Sequence, residues 1–216
     1  MLCGHFSLQG LINAVNELFP YSEHRLCVRH MWANMKAKFK DKDLKPLLFS
    51  AARASHPVKL TYWLNELEKK NSGAREWVRE RPFEQWARDV FKTFAKCDIL
   101  LNNISEYFNK YILKARERPL LTMMEIIRSR VMKRITTKQA IGRKMKGDIC
   151  PKIRKKLDII IDMSYEYHAD FAGSSKAQVR GPEGQFSVDL DKRSCACRRW
   201  DLTAIPYVHA VAAIIE

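Results

Sequence analysis

Apolar residues recur at helical spacing through most of the chain. Intervals of three and four residues place them on one face of a helix, and prolines or turn sequences end most of these segments. A short apolar run at 24–28 favours a buried strand instead. The predicted helices cover, in chain order, residues 8–19, 30–39, 43–54, 57–71, 99–117 and 120–146. The pattern therefore predicts a protein that is mainly α-helical.

After about residue 164 the pattern changes to an alternation of apolar and polar residues. Three short alternating segments follow, with Gly173, Gly181 and Gly184 at the turns between them. An apolar, helix-prone segment closes the chain at 209–216. The change of period predicts a domain boundary near this point and a small β-meander in the C-terminal part.

The chain also carries a strong excess of positive charge. Lysine and arginine total 39 against 24 aspartate and glutamate residues, which gives a formal net charge of +15. Within residues 110–162 there are 16 basic and 5 acidic residues. This excess favours a polyanionic partner, because neutralising phosphates releases condensed counterions; a solvated surface with no partner is the alternative. The candidate nucleic-acid contacts in this region are Arg143, Lys144, Lys146, Arg154, Lys155 and Lys156.

The sequence gives no sign of a membrane segment or a secretory signal. No apolar run is long enough to span a bilayer, and the first ten residues lack a basic region followed by an apolar one. We therefore expect no membrane partner, and a reducing compartment in which the six cysteines are thiols or metal ligands. Cys3, Cys97 and Cys150 are interpreted as ordinary thiols.

The end of the chain carries a cluster of metal-ligand residue types. One residue separates Cys195 from Cys197, and His209 follows after eleven more. Zinc prefers thiolate and imidazole ligands in a tetrahedral site. Both cysteines can face one ion if the chain bends between them, and a histidine at the start of a helix can close over it. The alternative is a pair of packed cysteines beside a core histidine.

The residues around this cluster resemble a SWIM-type zinc finger. The segment CACRRWDLTAIPYVHA is similar in particular to the finger that closes plant Mutator-like (MuDR-type) transposases. The resemblance implies Zn²⁺ as the cofactor of a finger at about 186–216. It assigns three of four ligands to Cys195, Cys197 and His209, while Tyr207 occupies the place of the fourth, a cysteine. Such a site is expected to bind zinc weakly, with water, or with help from another group.

Two further segments resemble the same transposases, in the same order along the chain. Residues 8–40 are similar to the region around the second catalytic aspartate, and residues 97–128 to the region around the catalytic glutamate. The resemblance implies an RNase H-like fold interrupted by a helical insertion. We therefore expect a remnant of that core at 1–40, a helical basic region at 41–163, and the β-meander and finger at 164–216. The expected fold class is mainly α with a small C-terminal β-containing zinc finger.

The chemistry that the resemblance implies is DNA transposition, in which three carboxylates hold two divalent ions. Glu106 matches the glutamate, Phe6 occupies the place of the second aspartate, and the first aspartate is expected before residue 1. Because a lone Glu106 cannot hold two ions, we expect no functional Mg²⁺ site and no strand cleavage. The structural alternative for Glu106 is a helical carboxylate paired with Lys110.

Four other residues each allow a functional and a structural interpretation. Cys27 and His30 match the C-x-x-H signature of these transposases and are candidates for an accessory metal or DNA contact. Local packing at a strand-to-helix turn is the alternative for both. Arg198 and Arg199 are candidates for phosphate contacts, and surface solvation is their alternative.

Charge and resemblance together predict a zinc-binding, transposon-derived protein of the nucleus that binds DNA and has no catalytic activity. A domesticated DNA-binding transcriptional regulator is the second hypothesis, and an active transposase is the third. The expected partners are DNA and a protein that binds through the finger. No small-molecule substrate is expected.

Overall fold

The chain divides into two units between Leu101 and Asn102. The computed structural model describes residues 13, 14 and 16–216. Positions 13, 14 and 16–18 are helical, Phe19 is not, and residues 8–12 and 15 of the helix predicted at 8–19 lie outside the described residues. The helices of the first unit are α1 (Val28–Lys38), α2 (Leu44–Arg53), α3 (Pro57–Lys70) and α4 (Ser72–Arg79), followed by 3₁₀ turns at Phe83–Gln85 and Arg88–Val90.

The ends of α3 and α4 follow from local sequence signals. Pro57 opens α3, where its missing N–H would have no helical partner anyway. Asn71 ends α3 and caps α4, because its side-chain oxygen accepts a hydrogen bond of 2.8 Å from the backbone N–H of Ala74. Helix α2 packs against α3. The helices predicted at 43–54 and 57–71 are therefore confirmed within a residue at each end.

The strand predicted at 24–28 is wrong. Residues 22–27 form no regular structure, and α1 begins at Val28. The backbone N–H of Leu26 donates to the carbonyl of Gln85 over 2.7 Å, and that of Val28 donates to Leu100 over 2.9 Å. These bonds reach two separate segments, so no single neighbouring strand forms a ladder with this run. Within it only Val28 is buried, and Leu26 is exposed.

The helical part of the second unit contains α5 (Asn103–Tyr111), a 3₁₀ turn at Leu113–Ala115, α6 (Leu120–Arg143) and α7 (Pro151–Ser164). Helix α5 is shorter than the helix predicted at 99–117, whereas α6 covers most of the one predicted at 120–146. No side chain of α6 is fully buried. Apolar residues recur along α6 at helical spacing, and of these Met124, Val131 and Ile135 are exposed.

The C-terminal part of the second unit is the predicted β-meander. Four antiparallel strands lie in the order β1-β2-β3-β4, with bounds β1 (His168–Phe171), β2 (Lys176–Gly181), β3 (Gly184–Asp189) and β4 (Ser194–Cys195). Two helices follow, α8 (Arg199–Thr203) and α9 (Val208–Ile215). The structure thus confirms a mostly helical chain with a small C-terminal sheet.

Helix α9 joins the sheet to the preceding helix. It packs against all four strands and against α7, and its residues 208–213 are all buried. Ile160 of α7 belongs to the same apolar core as Val179 and Val188 of the sheet. Residues 151–216 therefore share one core, which we call the C-terminal module. Among the described helices, none combines the length and the apolar character that a membrane crossing requires.

Candidate metal centre

The two cysteines lie at the end of β4 and in the turn that follows it. Cys195 of β4 pairs with Val188 of β3, and the backbone N–H of Ala196 still donates to Ser187 over 2.9 Å. Ala196 and Cys197 are turn residues, and within this turn Cys195 and Cys197 are buried while Ala196 is exposed. The backbone N–H of Arg198 donates to the Cys195 carbonyl over 2.7 Å and closes the turn. Arg198 itself has a φ of 61°.

The histidine reaches the cysteines from α9. His209 is the second residue of that helix and is completely buried. Its Nδ1 lies 3.6 Å from the Sγ atom of Cys195. The ligand atoms of Cys195, Cys197 and His209 all lie within 4.8 Å of one another. The predicted convergence of these three residues is therefore confirmed, and the group can hold a metal ion.

The two thiols interact directly. The contact with the Cys195 thiol lowers the pKa of Cys197 to about 5, against the opposing effect of burial. The same contact, together with burial, raises the pKa of Cys195. The backbone N–H of Cys197 also points at the Cys195 sulfur over 3.5 Å. The pair therefore resembles a thiol that shares its proton with a thiolate.

Aromatic rings enclose the histidine. The Phe186 ring stacks on the imidazole with centroids 4.0 Å apart and planes 21° apart. The Tyr167 and Tyr207 rings stand edge-on to it at 5.1 Å and 5.8 Å. Inside this enclosure the Nε2 atom of His209 is buried and has no hydrogen-bond partner. The enclosure fixes the imidazole plane, which leaves Nδ1 directed at the cysteines.

These supporting residues were not among the predicted site residues. Phe186 carries a usable signal, because it is an inward-facing position of an alternating strand. Gly181 carries none, although a Cβ atom at that position would come within 2.2 Å of the Tyr167 ring. Asp201 is also new: its carboxylate accepts a hydrogen bond of 3.1 Å from the N–H of Cys195 and holds the cysteine turn to α8.

The donor set fits zinc. Two thiols and one imidazole are among the ligands that zinc prefers, and they are buried and already close together. No other His, Cys, Asp or Glu in the described part of the chain belongs to the group. These residues therefore supply three ligands, one fewer than a closed structural site contains.

Comparisons with known proteins do not identify a family for this chain. Searches with family models, against curated proteins and against solved structures give no match. Its function is therefore argued from its own residues.

The other candidate site residues, Cys27, His30 and Glu106, are far from the metal-ligand cluster in sequence. Cys27 is half-buried directly before α1, and His30 is exposed in its first turn. Glu106 is exposed in the first turn of α5. None of the three belongs to a group of three or more metal-ligand residues within the described ranges. Their assigned roles stay predictions.

The basic candidates divide into two sets. Arg198 and Arg199 lie at the metal centre and are half-buried, and the Arg199 guanidinium sits 3.9 Å above the Tyr207 ring. The six others are all exposed. In α7 the apolar side, including Ile160, faces the core of the C-terminal module, which leaves Arg154, Lys155 and Lys156 toward solvent.

Proposed function

We propose that the C-terminal module binds one Zn²⁺ ion through Cys195, Cys197 and His209. The observation that supports this is the convergence of three buried donor atoms within 4.8 Å of one another. Leaving two thiols and an imidazole together in an apolar core is costly unless they gain a partner. A zinc ion bound to all three satisfies them and ties β4 to α9.

The zinc content of the purified full chain tests this proposal. The wild type, reconstituted with zinc and dialysed, is expected to retain about one ion per chain, in line with a single group of ligands. Cys195→Ser is expected to lose most of it, because a neutral hydroxyl replaces a thiolate. Cys150→Ser is the matched control, since Cys150 is exposed and lies outside the group. Equal zinc in the two variants would contradict the proposal.

We further propose that the chain binds DNA through its basic helices and derives from a Mutator-like transposase. The charge of residues 110–162 and the exposure of the six basic side chains on and between α6 and α7 support DNA binding. The segments similar to those transposases support the origin. We therefore also propose that the protein is located in the nucleus, because DNA is its proposed partner.

Catalytic silence is the remaining part of the proposal. Phe6 takes the place of one metal-binding carboxylate, and Glu106 is a solvent-exposed residue of α5. Incubation of labelled duplex DNA with the full chain and Mg²⁺ or Mn²⁺ is expected to give no more nicking than Glu106→Gln gives. Metal-dependent nicking by the wild type that Glu106→Gln abolishes would overturn this part.

A further inference from the structure

We infer that zinc in this site keeps one coordination position open, on the side of Tyr207, and that the position takes water or a small anion. The inference rests on the proposed zinc binding and adds a ligand class to it. A three-ligand zinc site with an exchangeable fourth position differs from the closed tetrahedron of a purely structural finger.

The side of the open position follows from what surrounds the donors. Phe186 covers a face of the imidazole, and Tyr167 meets its edge; both side chains are buried in the core of the C-terminal module. Tyr207 meets the imidazole from another direction and also lies within electrostatic range of Cys197. Unlike the other two rings it is only half-buried. The border of the site toward solvent is therefore Tyr207.

Tyr207 itself does not complete the tetrahedron. It precedes α9 in extended conformation, two residues before His209. From that backbone position a cysteine sulfur would reach only one bond beyond Cβ, whereas the tyrosine hydroxyl lies a full ring farther out. A neutral phenol is also outside the thiolate, imidazole and carboxylate groups that zinc takes in proteins.

Charge selects the ligand class. The Arg199 guanidinium covers the Tyr207 ring at 3.9 Å and acts on Tyr207 more strongly than the opposing carboxylate of Glu183, so the balance of charge on this side of the site is positive. Two thiolates and one imidazole leave a bound zinc ion with no net charge, and the nearby guanidinium then favours an anionic fourth ligand over a neutral one. Water or hydroxide fills the position in the absence of such an anion.

The test uses the full chain with Co²⁺ in place of Zn²⁺, and azide as the small anion. Azide is expected to change the visible spectrum of the wild-type cobalt form in a saturable way. Tyr207→Cys is expected to abolish that response and to raise zinc affinity at least roughly 10-fold, since even a lost outer-shell partner changes metal affinity by about 10–100-fold. Tyr207→Ser is the matched control for size and is expected to keep the azide response without the gain in affinity.

The outcomes distinguish a failure of the open coordination position from a failure of zinc binding itself. A wild type that binds neither metal overturns both. A wild type that binds metal but ignores azide overturns the open position alone, as does Tyr207→Cys with unchanged zinc affinity. Loss of metal in Tyr207→Phe, which keeps the ring and removes only the hydroxyl, would show that the phenol is the fourth ligand and would also overturn it.

Discussion

Removing zinc from the wild-type chain with a chelator is expected to destabilise the C-terminal module by about 3–4 kcal/mol, relative to protein kept in free zinc at roughly 100–1,000 times Kd. The three ligands lie in β4, in the turn after it and in α9, which is the helix that covers the sheet. Without the ion, two buried thiols and the Nδ1 atom of His209 remain next to one another in the core. A zinc ion bound to these three residues is therefore expected to contribute directly to the free energy of unfolding.

Hydrogen exchange read by mass spectrometry measures this effect in the segments that matter. Amides of β3, β4 and α9 are expected to exchange faster after zinc removal, whereas amides of α2 and α3 in the first unit serve as the internal reference. A variant with both Cys195→Ser and Cys197→Ser should exchange at the same rate with and without zinc. Equal protection of the wild type in both conditions would show that the module does not depend on metal.

Much of the fold was predictable because local signals and burial agree. Helices α2 and α3 both show apolar periodicity, α3 also has recognisable ends at Pro57 and Asn71, and the prediction placed both helices within a residue at each end. The sheet was predictable because β2 and β3 alternate strictly and the turns on either side of β2 contain glycine. The run at 24–28 misled because apolar character alone does not provide a partner strand.

The metal centre was predictable in its ligands and unpredictable in its surroundings. Spacing and neighbouring residues indicated Cys195, Cys197 and His209, which the structure brings together. The ring that stacks on the imidazole comes from β3, and the glycine that admits the Tyr167 ring comes from β2. Such contacts depend on tertiary packing between partners that lie 23 residues apart for Phe186 and His209 and 14 residues apart for Gly181 and Tyr167, and they leave no local pattern. Helix α6 is the opposite case: its apolar residues recur at helical spacing, but that pattern does not predict whether another element covers them.

Replacing Arg154, Lys155 and Lys156 together by glutamine is expected to weaken DNA binding by the full chain at least ~10-fold near 50 mM salt. If all three contact phosphate, the slope of log affinity against log salt becomes about 2.7 less steep, because each phosphate contact contributes about 0.9. Glutamine keeps the helix propensity of these exposed positions, and Ile160 still anchors α7 on the core of the C-terminal module. Gel-shift titrations with one random duplex across a salt series supply both numbers.

A matched variant decides whether the position of the charge matters or only its total. Replacing Lys36, Lys38 and Lys40 by glutamine removes the same number of positive charges. These three positions are exposed, belong to the first unit and lie outside the basic region at 110–162. The slope for this variant is expected to stay near that of the wild type, since counterion release requires direct contact with phosphate whereas net charge acts only at long range. Equal losses in the two variants would mean that DNA responds to the overall charge of +15, and the basic face of α7 would then not be the interface.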